Sequence, residues 1–143
     1  MFRHILVAHG SRTPNQSLSQ GLKLADQYRA KVTVVHVIPR HDITVGGLDL
    51  VAVSVATSTE YGSEIREAIL ARLDVEKVLG ATCLVREPEL GMTVGRTVAH
   101  TAASVGADLI VAGSRSGGWR LFRNDTVMEL LRHANLPVLV ASQ

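Results

Sequence analysis

The sequence predicts an α/β fold: an open, five-stranded, mostly parallel sheet with four helices on its two faces. Two observations carry this. Five short, continuous apolar runs recur along the chain, each bounded by turn-forming residues, and such runs are the pattern of strands buried on both faces. Between them lie segments whose apolar residues recur at helical spacing, so strands and helices alternate as in crossover units. Composition agrees with one domain over residues 1–143: the chain has 143 residues, 46% apolar and 20% charged. A domain of that length buries roughly 68–70% of the surface its unfolded chain exposes. Only 3% of residues are aromatic, so aliphatic side chains must build the core.

Taken in order, the first strand is Arg3–His9, centred on Ile5-Leu6-Val7-Ala8, and it breaks at the loop formers Gly10-Ser11-Arg12-Thr13-Pro14-Asn15. A helix follows with Leu18, Leu22 and Ala25 on one face, ending near Tyr28. Lys31–Ile38 is a β-branched second strand. This strand–helix–strand unit should cross over right-handed. Leu48–Thr59 reads equally as strand or helix, whereas from Ser63 a helix with Ile65, Ala68, Ile69 and Leu73 on one face is firm. Thr82–Arg86 is the third strand, and Met92–Val105 is a helix with Val94, Val98, Ala102 and Val105 in one stripe, stopped by Gly106. Asp108–Ala112 is the fourth strand. A last helix carries Val127, Leu130, Leu131 and Ala134 on one face, and Val138–Ala141 is the fifth strand.

Several function classes fall away. One cysteine, Cys83, forms no disulfide framework and no multi-cysteine metal site; it reads as a small core residue. No apolar stretch reaches the ~18 residues of a membrane span, and the first residues show no leader-type apolar region, so a reducing, cytoplasmic location is expected. No basic helix or aromatic ladder points to nucleic acid. The formal charge of +2 is uninformative as a sum.

By position it says more. Ligands of open α/β sheets bind at the carboxyl ends of the strands, where strand order reverses. The loop after the fourth strand, Gly113–Asp125, holds three glycines, two serines and Arg115, Arg120 and Arg123, and it leads into the amino end of the last helix. Glycines let backbone amides approach an anion, and the helix start and the arginines add positive charge, which suits phosphate. Solvated arginines on a surface loop are the alternative. A Gly-Lys-Ser/Thr ending is absent, which excludes a Walker loop. Trp119 and Phe122, in the same loop, could cover a ring or the sheet end. His9, at the end of the first strand, is either a general base or metal ligand, or a histidine bonded to backbone. His36 reads as packed, His4 precedes its strand, and His100 and His133 lie at polar helix positions; none is paired at metal-ligand spacing. No catalytic group and no resident metal are assigned.

Ile5-Leu6-Val7-Ala8 followed by Ser11, then Val34-Val35-His36-Val37, and above all Gly106-Ala107-Asp108-Leu109-Ile110-Val111-Ala112-Gly113-Ser114-Arg115 with Leu131–Val140, make the chain resemble the universal stress proteins over essentially its full length. The resemblance implies a Rossmann-like fold of the adenine nucleotide alpha hydrolase kind. It also implies a small cytoplasmic stress-response protein, a homodimer through the last strand (Val138, Leu139, Val140, Ala141) with an unknown protein partner, and in some members ATP binding. The ATP-binding positions would be His9, Val37, Gly113, Arg115, Ser116, Gly117, Gly118, Asn124, Asp125 and Thr126, with Mg only alongside ATP and at most weak hydrolysis. This chain departs from the nucleotide-binding pattern. Ser116 stands where a second glycine is usual, Asn124-Asp125 replaces Gly-Ser, and the loop is two residues short. His9 replaces an aspartate that faces the adenosine, while Val37 keeps the adenine-side position. Asp125 would set a carboxylate against a triphosphate, a repulsion of roughly 1–4 kcal/mol at a few ångströms. Two other readings follow: a dimeric interaction module without nucleotide, and, from His9-Gly10-Ser11-Arg12-Thr13-Pro14, a similarity to cobalt/sirohydrochlorin chelatases in which His9 would be base and ligand.

Overall fold

The computed structural model describes residues 1–9, 16–38, 62–74, 78, 81–89, 91–113 and 124–141. Five strands, β1 (His4–His9), β2 (Lys31–Val37), β3 (Thr82–Arg86), β4 (Leu109–Gly113) and β5 (Val138–Ala141), form one sheet in the order β3-β2-β1-β4-β5. Every pairing is parallel. Four helices accompany it among the described residues: α1 (Gln16–Tyr28), α2 (62–74), α3 (Val94–Val105) and α4 (Asn124–His133). The expected fold class is therefore the observed one.

The chain builds outward from β1 through β2 to β3, then returns to place β4 on the other side of β1. With right-handed crossovers, reversing direction moves the helices to the opposite face. Alternation along β1 shows both faces being used. Ile5 and Val7 join Val32, Val34, Leu109 and Val111 against Leu18, Leu22, Ile69 and Leu73 of α1 and α2. Leu6 joins Val35, Val37 and Ile110 against Val98, Ala99, Ala102 and Leu130 of α3 and α4. Ile5, Leu6 and Val7 are wholly buried, each worth about 1.5–3 kcal/mol by removal from water. This two-sided burial is why the run is continuously apolar instead of alternating.

Local chemistry sets the ends. Thr93 caps α3 by accepting from the Arg96 amide at 3.2 Å, so the helix begins two residues later than the Met92 start read from sequence. Gly106 closes it in the left-handed region, φ 70° and ψ 36°, its N–H turned back to the carbonyls of Ala102 and Ala103. Asp108, read as the first residue of the fourth strand, instead uses its carboxylate to accept the amides of Arg3 (2.8 Å) and His4 (3.1 Å). That bond ties the start of β4 to the start of β1, and β4 extends one residue further, to Gly113.

Other readings shift as well. His4 lies within β1 and is buried, its Nε2 2.7 Å from Thr33 Oγ1, which is 3.0 Å from Thr82 Oγ1. A polar chain thus crosses three strands near their amino ends. Ala68 and Leu131, expected on apolar faces, are exposed; Leu130, one residue earlier, is the position that turns inward. In α3 burial extends beyond the single predicted stripe to Gly95, Thr97 and Thr101, because this helix packs on both the sheet and α4. Cys83 is buried, and burial pushes its thiol pKa up, in keeping with a core residue. Leu48–Thr59 lies outside the described residues.

Candidate functional site

The reversal of strand order falls between β1 and β4, so their carboxyl ends flank the crevice that such sheets use for ligands. β1 ends on His9 and β4 on Gly113, which is exposed. The start of α1 closes on the same spot. Ser17 Oγ donates to the Ala8 carbonyl at 3.0 Å, and a Cβ at Gly113 would lie 3.7 Å from Ser17 Oγ. α4 begins at Asn124, so its first-turn amides follow directly on the glycine- and arginine-bearing loop. Thr126 is half-buried in that first turn. Arg115, Ser116, Gly117, Gly118, Arg120 and Arg123, with Trp119 and Phe122, lie outside the described residues, as do the side chains of Asn124 and Asp125.

The structure separates His9 from Val37. Val37 packs with Leu6 and Ala112 on the α3/α4 face. His9 projects to the other face, where parallel register sets it beside His36. The two rings meet edge-on, with centroids 5.5 Å apart and planes at 67°. His36 Nδ1 donates to the His9 carbonyl at 3.0 Å, and the two Nδ1 atoms are 3.4 Å apart. From α2, Arg72 approaches the same corner and donates to Ser19 Oγ on α1 at 2.9 Å.

These surroundings hold both rings neutral. Burial, then the neighbouring His36 and the Arg72 charge, lower the His9 pKa to about 4. Burial also lowers that of His36, opposed by its bond to the His9 carbonyl. Among the described residues no group of three or more His, Cys, Asp or Glu could hold a metal ion. Sequence reasoning placed His9 at the ligand edge but missed His36 and Arg72. The retrievable signal was positional: His9 follows His4 by five residues as His36 follows Lys31, and in-register parallel strands align both pairs.

At the sheet's margin, Leu139 and Val140 of β5 are 42% and 37% exposed, while Val138 is half-buried and Ala141 buried. Met128 and Leu131 on α4 are each 48% exposed. No helix among the described residues is long and apolar enough to cross a membrane.

No curated protein matches significantly. Among solved structures, a universal stress family protein from Burkholderia pseudomallei is 25% identical over 96% of this chain and 93% of its own, with TM-score 0.72. The universal stress protein UspA from Lactobacillus plantarum is 18% identical over 97% of both chains, TM-score 0.78. A universal stress family protein from Arabidopsis thaliana, solved with AMP bound, is 14% identical over 99% of this chain and 92% of its own, TM-score 0.66. The description of the universal stress protein family itself matches residues 1–142, and the chain belongs to that family.

Proposed function

We propose that this chain is a cytoplasmic stress-response module that works as a homodimer and binds an adenine nucleotide at the carboxyl ends of β1 and β4. The observation that carries the reading is the meeting of exposed Gly113 with the start of α1 at the ends of β1 and β4; in the sequence a loop with three arginines leads from there to the amino end of α4. Backbone amides at a helix start and guanidinium groups are the donors a phosphate takes. That the Arabidopsis relative holds AMP supports the ligand class. The proposed action is binding and response, with Mg required only if a triphosphate is bound.

The shortened loop and Asp125 favour a nucleotide with fewer phosphates. Calorimetry is expected to show AMP binding more tightly than ATP, and Asp125→Ser improving ATP affinity about tenfold while leaving AMP nearly unchanged, since 1.4 kcal/mol of relieved repulsion is a factor of ten. No heat and no thermal shift with either nucleotide in large excess would remove the nucleotide reading.

The exposed aliphatic side chains of β5 and α4 favour the dimer, and equally a module that acts through its surface alone. Sheet edges and apolar patches of this kind are what a two-fold strand pairing covers. In sedimentation the parent chain is expected to run as a dimer and Leu139→Arg as a folded monomer. A parent chain that stays monomeric at high concentration defeats that assignment.

A further inference from the structure

At the amino end of the parallel sheet, away from the ligand crevice, His4 ends a polar chain. The ring is 6% exposed, and its Nε2 lies 2.7 Å from Thr33 Oγ1, itself 3.0 Å from Thr82 Oγ1. Thr33 is buried, whereas Thr82, on the edge strand β3, is exposed. The chain therefore runs from solvent to a buried ring across three strands. Donors and acceptors give it a direction. His4 Nδ1 is buried and short of a hydrogen bond, and the carbonyls of Val105 and Gly106, at the end of α3, bear on the ring. A carbonyl only accepts, so the neutral ring keeps its proton on Nδ1, and Nε2 is a lone pair. Thr33 then donates its single hydroxyl hydrogen to Nε2, and Thr82 donates to Thr33. Thr82 is left to accept from solvent.

A proton added at Nε2 reverses every link. His4 then donates to Thr33, Thr33 to Thr82 and Thr82 to solvent, with no bond of the chain lost. Burial, then Lys31, its register partner on β2, hold the ring neutral at pH 7. The Val105 carbonyl and the Asp108 carboxylate, which also accepts the His4 amide, favour the cation.

We propose that His4, Thr33 and Thr82 form a proton-sensing relay: acidification charges His4 inside the folded chain and turns Thr82 from an acceptor into a donor at the sheet edge. A hydronium ion gives its proton to Thr82 Oγ1, the original Thr82 hydrogen passes to Thr33, and that of Thr33 passes to His4 Nε2. One proton enters and none leaves. The relay rests on neither the nucleotide nor the dimer reading.

Long-range proton–nitrogen NMR of the parent chain tests it. His4 is expected to be protonated on Nδ1 alone at pH 7 and on both nitrogens after acidification, while the amide signals remain those of the folded chain. Thr33→Val and Thr82→Val each remove one link at nearly constant shape and should lower the His4 midpoint by about half a pH unit or more. Thr33→Ser and Thr82→Ser, which keep the hydroxyl, should restore it. His4 protonated on Nε2 alone at pH 7, or charging only as the chain unfolds, overturns the proposal, and the parent spectra decide both points even where a valine variant does not fold. Equal midpoints in the parent and both valine variants overturn it as well.

Discussion

Gly95→Ala is expected to destabilise the fold by about 3 kcal/mol or more, at the upper end of what overpacking costs. A Cβ on Gly95 would overlap the Thr126 carbonyl oxygen and lie 2.8 Å from the Leu130 amide nitrogen and 3.0 Å from Glu129 Cβ. Two of these three neighbours are backbone of α4, so no rotamer change relieves the overlap and α3 and α4 must separate. α4 cannot move away freely, because Leu130 is buried between α3 and the sheet. Gly21→Ala offers the comparison. There the overlap is with a γ-methyl of Val7, a side chain that can shift part of the way, on the opposite face of the sheet. Thermal unfolding should show the Gly95 variant melting roughly 10 °C lower, given a few degrees per kcal/mol in a domain of this size. Displacing the first turn of α4 should also weaken AMP binding, whereas Gly21→Ala should spare it. Equal melting temperatures for Gly95→Ala and the parent would mean that the helices are not in this contact.

Acidification is the second large effect. His4, His9 and His36 are all held neutral: desolvation and Lys31 lower the pKa of His4, and desolvation dominates at the other two. Each binds a proton more readily unfolded than folded. Stability is therefore complete above pH 6.5, the ordinary histidine value, and falls as the pH drops, for His9 down to its folded value of about 4. At 1.36 kcal/mol per unit, His9 alone accounts for no more than about 3 kcal/mol, since part of its surface stays in water. His4 and His36 act with the same sign. Protonating His9 also puts a second N–H against His36 Nδ1 and breaks the pair. Urea midpoints measured from pH 7 to pH 4.5 should fall steadily in the parent chain and less steeply in His9→Gln. A flat profile, or equal slopes in the two proteins, contradicts this account.

Much of the architecture was legible because it is local. Ile5-Leu6-Val7-Ala8 and Leu109-Ile110-Val111-Ala112 must be buried on both faces whatever their neighbours are, and Gly106 ends α3 by backbone freedom alone. Threonine at position 93 carried a cap signal that a reading by apolar spacing passed over. The site was legible in part: the rule for open sheets pointed to His9 and Gly113, and both stand at the reversal of strand order. His9 and Val37, grouped by resemblance, project to opposite faces, because register pairs His9 with His36 and Val37 is the next residue along β2, so it turns to the other side.

By itself, then, the sequence determined the strands, the helices and the layered parallel sheet, since apolar periodicity records how many faces of an element are buried. Only the tertiary structure decided which strand lies beside which. Periodicity carries no address for the partner, and register joins residues far apart in the chain. That is how His9 meets His36 across 27 positions, how Asp108 comes to hold the amides of Arg3 and His4, and why Gly95, unremarkable in a helix of small residues, sets the approach of α3 to α4.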